Sequence, residues 1–374
     1  MGKSSGFGEW AGNPGFRAKK VEEMGLVLRM RISESFPPGI RTVSIIGMSK
    51  NAGKTTLFNQ LLQEYGEGKR VVGLVSAGVD GEKFDVWNAL PKPAVLPHPG
   101  SLVATSKQAI EEAEARFEII EKVKDSSIGQ EVLLARTLRS GAVKLIGNPS
   151  RRDLRRVLQA FRTYRTEVNL IDGAYNRIAS ADPSFTDGML LVAGASYHPS
   201  LPLLLDHLRD LIFQFTLPSL TPGPWIASAL PDLERGNAVF LPSPEAEPLA
   251  LDYPFRGDWV RQSLKGTGKR EGAYLFLPGA CTPSVLDQIM EMSLLPHLVL
   301  FDPTKWFVRG GKGAAYLQRG GKIAVLRPVR LLGIGVNPFS PDGYTWDGEE
   351  MLVRVKELSR TTPVFDVVRG RLEK

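Results

Sequence analysis

At 374 residues the chain is too long for one typical core, so about two domains are expected, and its 43% hydrophobic and 23% charged residues make an ordinary globular balance. The net charge of +7 permits a polyanionic partner without demanding one, and the single cysteine excludes an internal disulfide or a multi-cysteine metal site. No apolar run reaches the roughly 18 residues of a membrane span, and the first 40 residues lack the apolar core of a secretory signal, so a cytoplasmic location is expected.

Residues 1–40, rich in Gly, Ser and Lys, read as a poorly ordered arm. A β-branched run at 42–46 predicts the first strand, and 54–65 an amphipathic helix ending at Gly66. A second strand at 71–76 runs into Gly78-Val79-Asp80-Gly81-Glu82. After a stretch with Pro91, Pro93, Pro97 and Pro99, a long helix is predicted over 107–122 and a strand at 143–146. Six arginines (151, 152, 155, 156, 162 and 165) accompany Leu154, Val157, Leu158 and Phe161, whose spacing is that of a helix with one buried face. The arginines then form its solvated face, and without aromatic interleaving or an RNA-binding signature no nucleic-acid partner is expected. Strands at 167–172 and 189–193 and a helix at 201–215 follow. This alternation predicts a mostly parallel sheet covered on both faces.

The proline-bearing stretch 216–224 is the expected boundary. Beyond it, strands are predicted at 273–277, 298–301, 323–326, 331–336 and 364–367, with helices at 283–292 and 348–358. The expected organisation is therefore an arm (1–40), an α/β nucleotide-binding domain (41–215) and a second, smaller α/β domain (225–374). Cys281, just before Thr282-Pro283, reads as a small packed residue at a strand–helix junction. His98, His198, His207 and His297 have no zinc-ligand spacing. Arg-Gly-Gly-Lys occurs at 309–312 and again at 319–322, read as glycine turns, with an anion-binding loop as the alternative.

The sequence Gly47-Met48-Ser49-Lys50-Asn51-Ala52-Gly53-Lys54-Thr55-Thr56 lies between the first strand and the first helix. Phosphate binding needs this order, because loop N–H groups converge on the oxygens and the helix N-terminus adds partial positive charge. Lys50, Asn51, Ala52, Gly53, Lys54, Thr55 and Thr56 are the candidate nucleotide contacts. Lys54 would reach the β- and γ-phosphates, and Thr55 would ligate Mg²⁺. The generic P-loop spacing asks for glycine at 48, where this chain has Met48, so the path of the loop is left open. The apolar run ending at Asp172 has the Walker B pattern and makes Asp172 the candidate Mg²⁺ partner, against a turn-capping aspartate. Asp80 or Glu82 is the candidate to orient the attacking water or ligate the metal. Lys54, Asp80 and Asp172 are thus the candidate catalytic residues, and Thr55, Asp172 and Asp80 the metal set. Asp187 and Gly194-Ala195-Ser196 are further candidates to approach the nucleotide. No Asn-Lys-x-Asp or Thr-Lys-x-Asp tetrapeptide occurs, which favours ATP over GTP.

Residues 50–56 are similar to P-loops of the SIMIBI class, including the molybdopterin-guanine-dinucleotide adapter proteins. Further motifs are Gly47-Met48-Ser49, the segment 78–82, the segment 100–107, Ile171-Asp172-Gly173-Ala174 and Phe185-Thr186-Asp187-Gly188. In the second half, 336–343 (from Val336-Asn337-Pro338) and 363–367 join them. Together they make the chain resemble the ATP-binding reactivase subunit family of lysine 5,6-aminomutase, over residues 40–370. Met48 agrees with that family. The resemblance implies a P-loop NTPase of low intrinsic turnover that uses ATP and Mg²⁺ to expel damaged cobalamin. Its client would be an adenosylcobalamin- and pyridoxal-phosphate-dependent aminomutase, and its companion a subunit resembling the mismatch-repair ATPase MutS. The residues alone reach only an ATP-driven switch. An ATP-dependent ligase or kinase of the same class, or a nucleotide-dependent scaffold, are the competing readings, and a homodimer is a further partner to test.

Overall fold

The computed structural model describes residues 31–77, 94–123, 131–146, 150–172, 181–221, 223, 226–255, 272–292, 295–369 and 371–373. The first part of the chain forms β1 (Thr42–Gly47), α1 (Lys54–Glu67), β2 (Val72–Ser76), β3 (Leu102–Ser106) and α2 (Lys107–Glu111). Then come β4 (Arg116–Val123), β5 (Val132–Arg139), α3 (Arg151–Thr163), β6 (Val168–Asp172), β7 (Gly188–Gly194) and α4 (Leu201–Phe215). A middle part holds α5 (Ile226–Glu234), β8 (Ala238–Leu241), β9 (Leu249–Leu251), β10 (Tyr274–Leu277), α6 (Pro283–Met290), β11 (His297–Leu300), α7 (Lys312–Gln318) and β12 (Lys322–Val325). The chain closes with β13 (Arg330–Asn337), α8 (Gly348–Leu358), β14 (Val364–Asp366) and β15 (Arg371–Glu373).

Ten strands make one sheet in the order β15-β14-β13-β7-β1-β6-β2-β3-β5-β4. From β14 through β3 every neighbouring pair is parallel, and antiparallel pairing appears only towards the two edges. Central strands covered on both faces need no polar alternation, and β1 and β7 are buried at every position. On one face α1 lays Leu57, Phe58, Leu61, Leu62 and Tyr65 against Val43, Ile45, Leu170 and Leu190. Each such side chain contributes roughly 1.5–3 kcal/mol relative to exposure. On the other face α4 and α8 cover Ile46, Met189, Leu191 and Ile334, while α3 covers Val75, Ala104 and Ile171. The arginine-bearing helix is as expected, with Leu154, Val157, Leu158 and Phe161 buried.

The expected C-terminal domain of residues 225–374 is not one unit. β8 to β12 form a separate sheet in the order β12-β11-β10-β8-β9, but β13, α8 and β14 return to the ten-stranded sheet, with β13 against β7. The cause is the pattern of β13, which buries Leu332 on the α1 side and Ile334 and Val336 on the α4 side. The smaller sheet is thus an insertion between α4 and β13. The predicted boundary forms its near end: Leu220 N donates to Val325 O at 2.8 Å, and Val325 N to Pro218 O at 2.9 Å.

Two local expectations also change. The helix predicted over 107–122 stops at Glu111, and 116–123 is β4, paired antiparallel with β5. Glu114 N donates to Ala142 O, and Gly141 packs so closely on Ala115 that a Cβ there would lie 2.5 Å from its nitrogen. That contact turns the chain out of the helix. The strand predicted at 143–146 reduces to one bridge, Val143 to Val95, while Thr105 Oγ1 donates to Lys144 O and accepts from Ile146 N in place of a ladder. The last part of the expected arm is ordered against α1: Ile32 is buried, and its N–H and that of Ser33 donate to the Glu64 carboxylate at 3.0 and 2.9 Å. Cys281 sits as expected, fully buried ahead of Thr282, whose side chain caps α6. Burial pushes its thiol pKa up to about 12.

Candidate functional site

The site is built where β1, central in the large sheet, passes into α1. Met48 N donates to Val192 O at 2.9 Å, and the Met48 side chain is buried among the α4-side residues. The residue that departs from the generic spacing is therefore a core residue. The glycine it displaces has its place one step earlier: a Cβ on Gly47 would lie 2.9 Å from Lys54 Cγ and 3.0 Å from Cδ. The lysine stem folds back across the bare Cα of Gly47. At the other end of the loop, Gly53 holds φ +106°, a left-handed conformation that side chains resist, and Asn51 also has positive φ.

Gly53 is the N-cap of α1 and brings no side-chain acceptor, whereas Ser106, Ser150, Thr282 and Asp347 cap α2, α3, α6 and α8. Helix N-termini leave several backbone donors without intrahelical partners, and a phosphate satisfies them. Ala52 is buried, Lys50, Gly53, Lys54 and Thr55 are half-buried, and Asn51 and Thr56 are exposed.

Asp172 ends β6, the strand next to β1, level with Ile45 on one side and Ser76 on the other. It is half-buried at the same end of the sheet as the loop. Asp80, Glu82 and the rest of 78–82 lie outside the described residues, as does Gly173. Asp187 is at the opposite end. Its carboxylate accepts from Arg41 N and Thr42 N at 2.9 and 2.8 Å, where β1 begins, about 16 Å of strand away from Gly47. It anchors the start of β1 and does not approach the loop.

The Gly194-Ala195-Ser196 turn does approach it. A Cβ on Gly194 would lie 2.6 Å from Ala52 Cα, and Ser49 Oγ shares a 2.6 Å hydrogen bond with Ser196 Oγ. Asn337, at the end of β13, and Val367, after β14, press on Gly53 at 3.3 and 3.1 Å from its would-be Cβ. The motifs at 336–343 and 363–367 therefore meet the loop in space. Sequence alone carried them only as parts of a resemblance, because nothing local says that β13 lies two strands from β1.

Among the described residues no His, Cys, Asp or Glu cluster could hold a metal by itself. Thr55 and Asp172 suit a Mg²⁺ ion that keeps waters and takes phosphate oxygens. The first Arg-Gly-Gly-Lys turn does hold an anion, the chain's own Asp210: Gly310 N and Gly311 N donate to its carboxylate at 2.8 and 3.3 Å. No described helix is long and apolar enough to cross a membrane.

The fold is α/β with a mostly parallel large sheet, and the site is a glycine-bounded loop leading from a central strand into a helix. No family model matches the chain, and neither the curated proteins nor the solved structures give a match.

Proposed function

We propose that the chain binds ATP with Mg²⁺ on the loop 47–56 and works as an ATP-driven switch of the P-loop NTPase fold. The observation that carries this reading is the Lys54 stem lying over Gly47, which keeps the lysine beside an uncapped helix N-terminus. Lys54 would hold the β- and γ-phosphates and Thr55 the metal. Asp172 would hold the metal's water shell, with Asp80 as the further carboxylate. ATP supplies a hydrolysable γ-phosphoryl group when bound.

The client is proposed on the resemblance: a cobalamin-dependent aminomutase, served with a MutS-like companion in the cytoplasm. A switch acts on a client only through differential affinity of its two states, so client and nucleotide must alter each other's binding by the same factor. Calorimetric titration tests the loop first. Lys54→Ala removes a charge-assisted contact of about 1.5–3 kcal/mol and should weaken ATP–Mg²⁺ binding by about tenfold to a hundredfold. Unchanged affinity would sink the assignment. Recovery of a turnover-inactivated aminomutase, given fresh adenosylcobalamin and the companion, then tests the client; it should require hydrolysable ATP and intact Lys54. An ATP-dependent ligase or kinase is the second reading, favoured by a cavity beside Gly47 and Met48. It predicts turnover that depends on a metabolite instead.

A further inference from the structure

Beneath the start of the loop, on the α4 side of the sheet, lies a cavity of about 220 Å³. Its walls include Gly47, Met48, Met189, Leu191, Leu211 and Phe215, an apolar surface relieved by Tyr197, His207 and Arg309. Among the described residues no carboxylate lines it. Tyr197 and His207 are hydrogen-bonded to each other through Oη and Nδ1.

Arg309 comes from the inserted unit, and α4 fixes it there. Gln214, fully buried, donates Nε2 to Pro303 O at 2.6 Å and accepts Arg309 Nη1 on Oε1 at 2.9 Å. One turn earlier on α4, Asp210 grips the N–H groups of Gly310 and Gly311. That leaves its carboxylate occupied by backbone. Among the described residues Arg309 is in no ion pair, and both of its hydrogen bonds leave from Nη1, to Gln214 Oε1 and to Val308 O. A guanidinium has five donors, so half-buried Arg309 keeps its Nε and Nη2 edge for a further acceptor, with Asp210 its neighbouring carboxylate. Burial lowers the Arg309 pKa from the ordinary arginine value, against a smaller opposing effect of Asp210.

We propose that this cavity binds a small organic monocarboxylate, its apolar body against Leu191, Leu211 and Phe215 and its carboxylate on the free edge of Arg309. A carboxylate matches the guanidinium fork in two parallel hydrogen bonds. Among the described residues Arg309 is the one arginine or lysine in the wall, and it balances one negative charge, which favours a carboxylate over a phosphate dianion. The size also fits, since benzene fills an apolar cavity of about 150 Å³. The site stands on the cavity and on Arg309, and does not require the nucleotide reading.

Calorimetric titration of the full chain with benzoate, and with benzyl alcohol as its uncharged counterpart, tests the proposal. Benzoate should bind at least about tenfold tighter than the alcohol, the scale of one charge-assisted pair. Arg309→Gln should lose that preference, and Arg309→Lys should keep part of it. Leu211→Trp fills the cavity without touching the cation and should abolish binding of both probes; it decides the matter should Arg309→Gln fail to fold, which its melting curve reveals. The proposal is overturned if wild type ignores benzoate, if both probes bind alike, or if the filled cavity binds benzoate as before.

Discussion

A methyl group on Gly47 would collide with the stem of Lys54 at 2.9 Å, while the backbone of Gly47 itself is in no strained region. The methyl would also lie 3.1 Å from the Ser49 carbonyl oxygen, which is backbone and yields less readily. Gly47→Ala should displace the lysine and weaken ATP–Mg²⁺ binding by about tenfold, with a stability loss of about 1–3 kcal/mol. Titration and thermal melting of the same sample check both. Wild-type affinity would mean that the stem's path over Gly47 does not position the ammonium group. Lys54 and Gly53 could be singled out in the sequence because their spacing from the strand is local. The first glycine could not be, because residue 48, which the generic spacing wants bare, is instead a side chain of the core.

At the scale of elements, the pieces that sequence reading recovered are those whose partner faces are written into their own periodicity. In α3, Ser150 Oγ accepts from Asp153 N at 3.0 Å and donates to the buried Asp153 carboxylate at 2.6 Å, so the cap is a closed local unit. Ser150→Ala breaks both contacts and should lower stability by about 1–2 kcal/mol in a denaturant melt, without moving ATP affinity. A loss under a few tenths would show that the cap is replaced by solvent. The failures are of the other kind. Residues 107–122 favour helix by composition, yet Ile119, Glu121 and Lys122 pair with Ala135, Leu134 and Leu133 on β5. Strand preference depends on such neighbours more than on intrinsic tendency. Arg136 and Lys122 add cross-strand ion pairs to Glu118 and Glu131, both exposed and worth little by themselves.

At the scale of the whole molecule, the described residues form one large sheet interrupted by a smaller one, and that arrangement was invisible because β7 and β13 are adjacent in space but not in sequence. Phe215 at the end of α4 and Val329 ahead of β13 belong to the same buried cluster, so the insertion leaves and rejoins the large sheet on one face. Residues 217–328 should then be removable. With a flexible linker of about eight residues, reaching up to about 25 Å, the ends can be rejoined. Phe213 packs on Trp306 and on Gly313 of the insertion, and changing it to Ser avoids leaving an exposed ring. The shortened protein should melt in a single cooperative transition and keep ATP–Mg²⁺ affinity within a few fold, because the described contacts to the loop come from β7, β13 and the residues after β14. It should lose benzoate binding, because Arg309 leaves with the insertion. The complementary chain ending at residue 329 keeps the insertion but strips β13, α8 and β14 from β7 and α4. It should fail to fold, given the buried Ile334, Val336, Met351, Leu352, Val355 and Val364 that it lacks. Cooperative melting of the second chain but not of the first would reverse the assignment of which unit is the host.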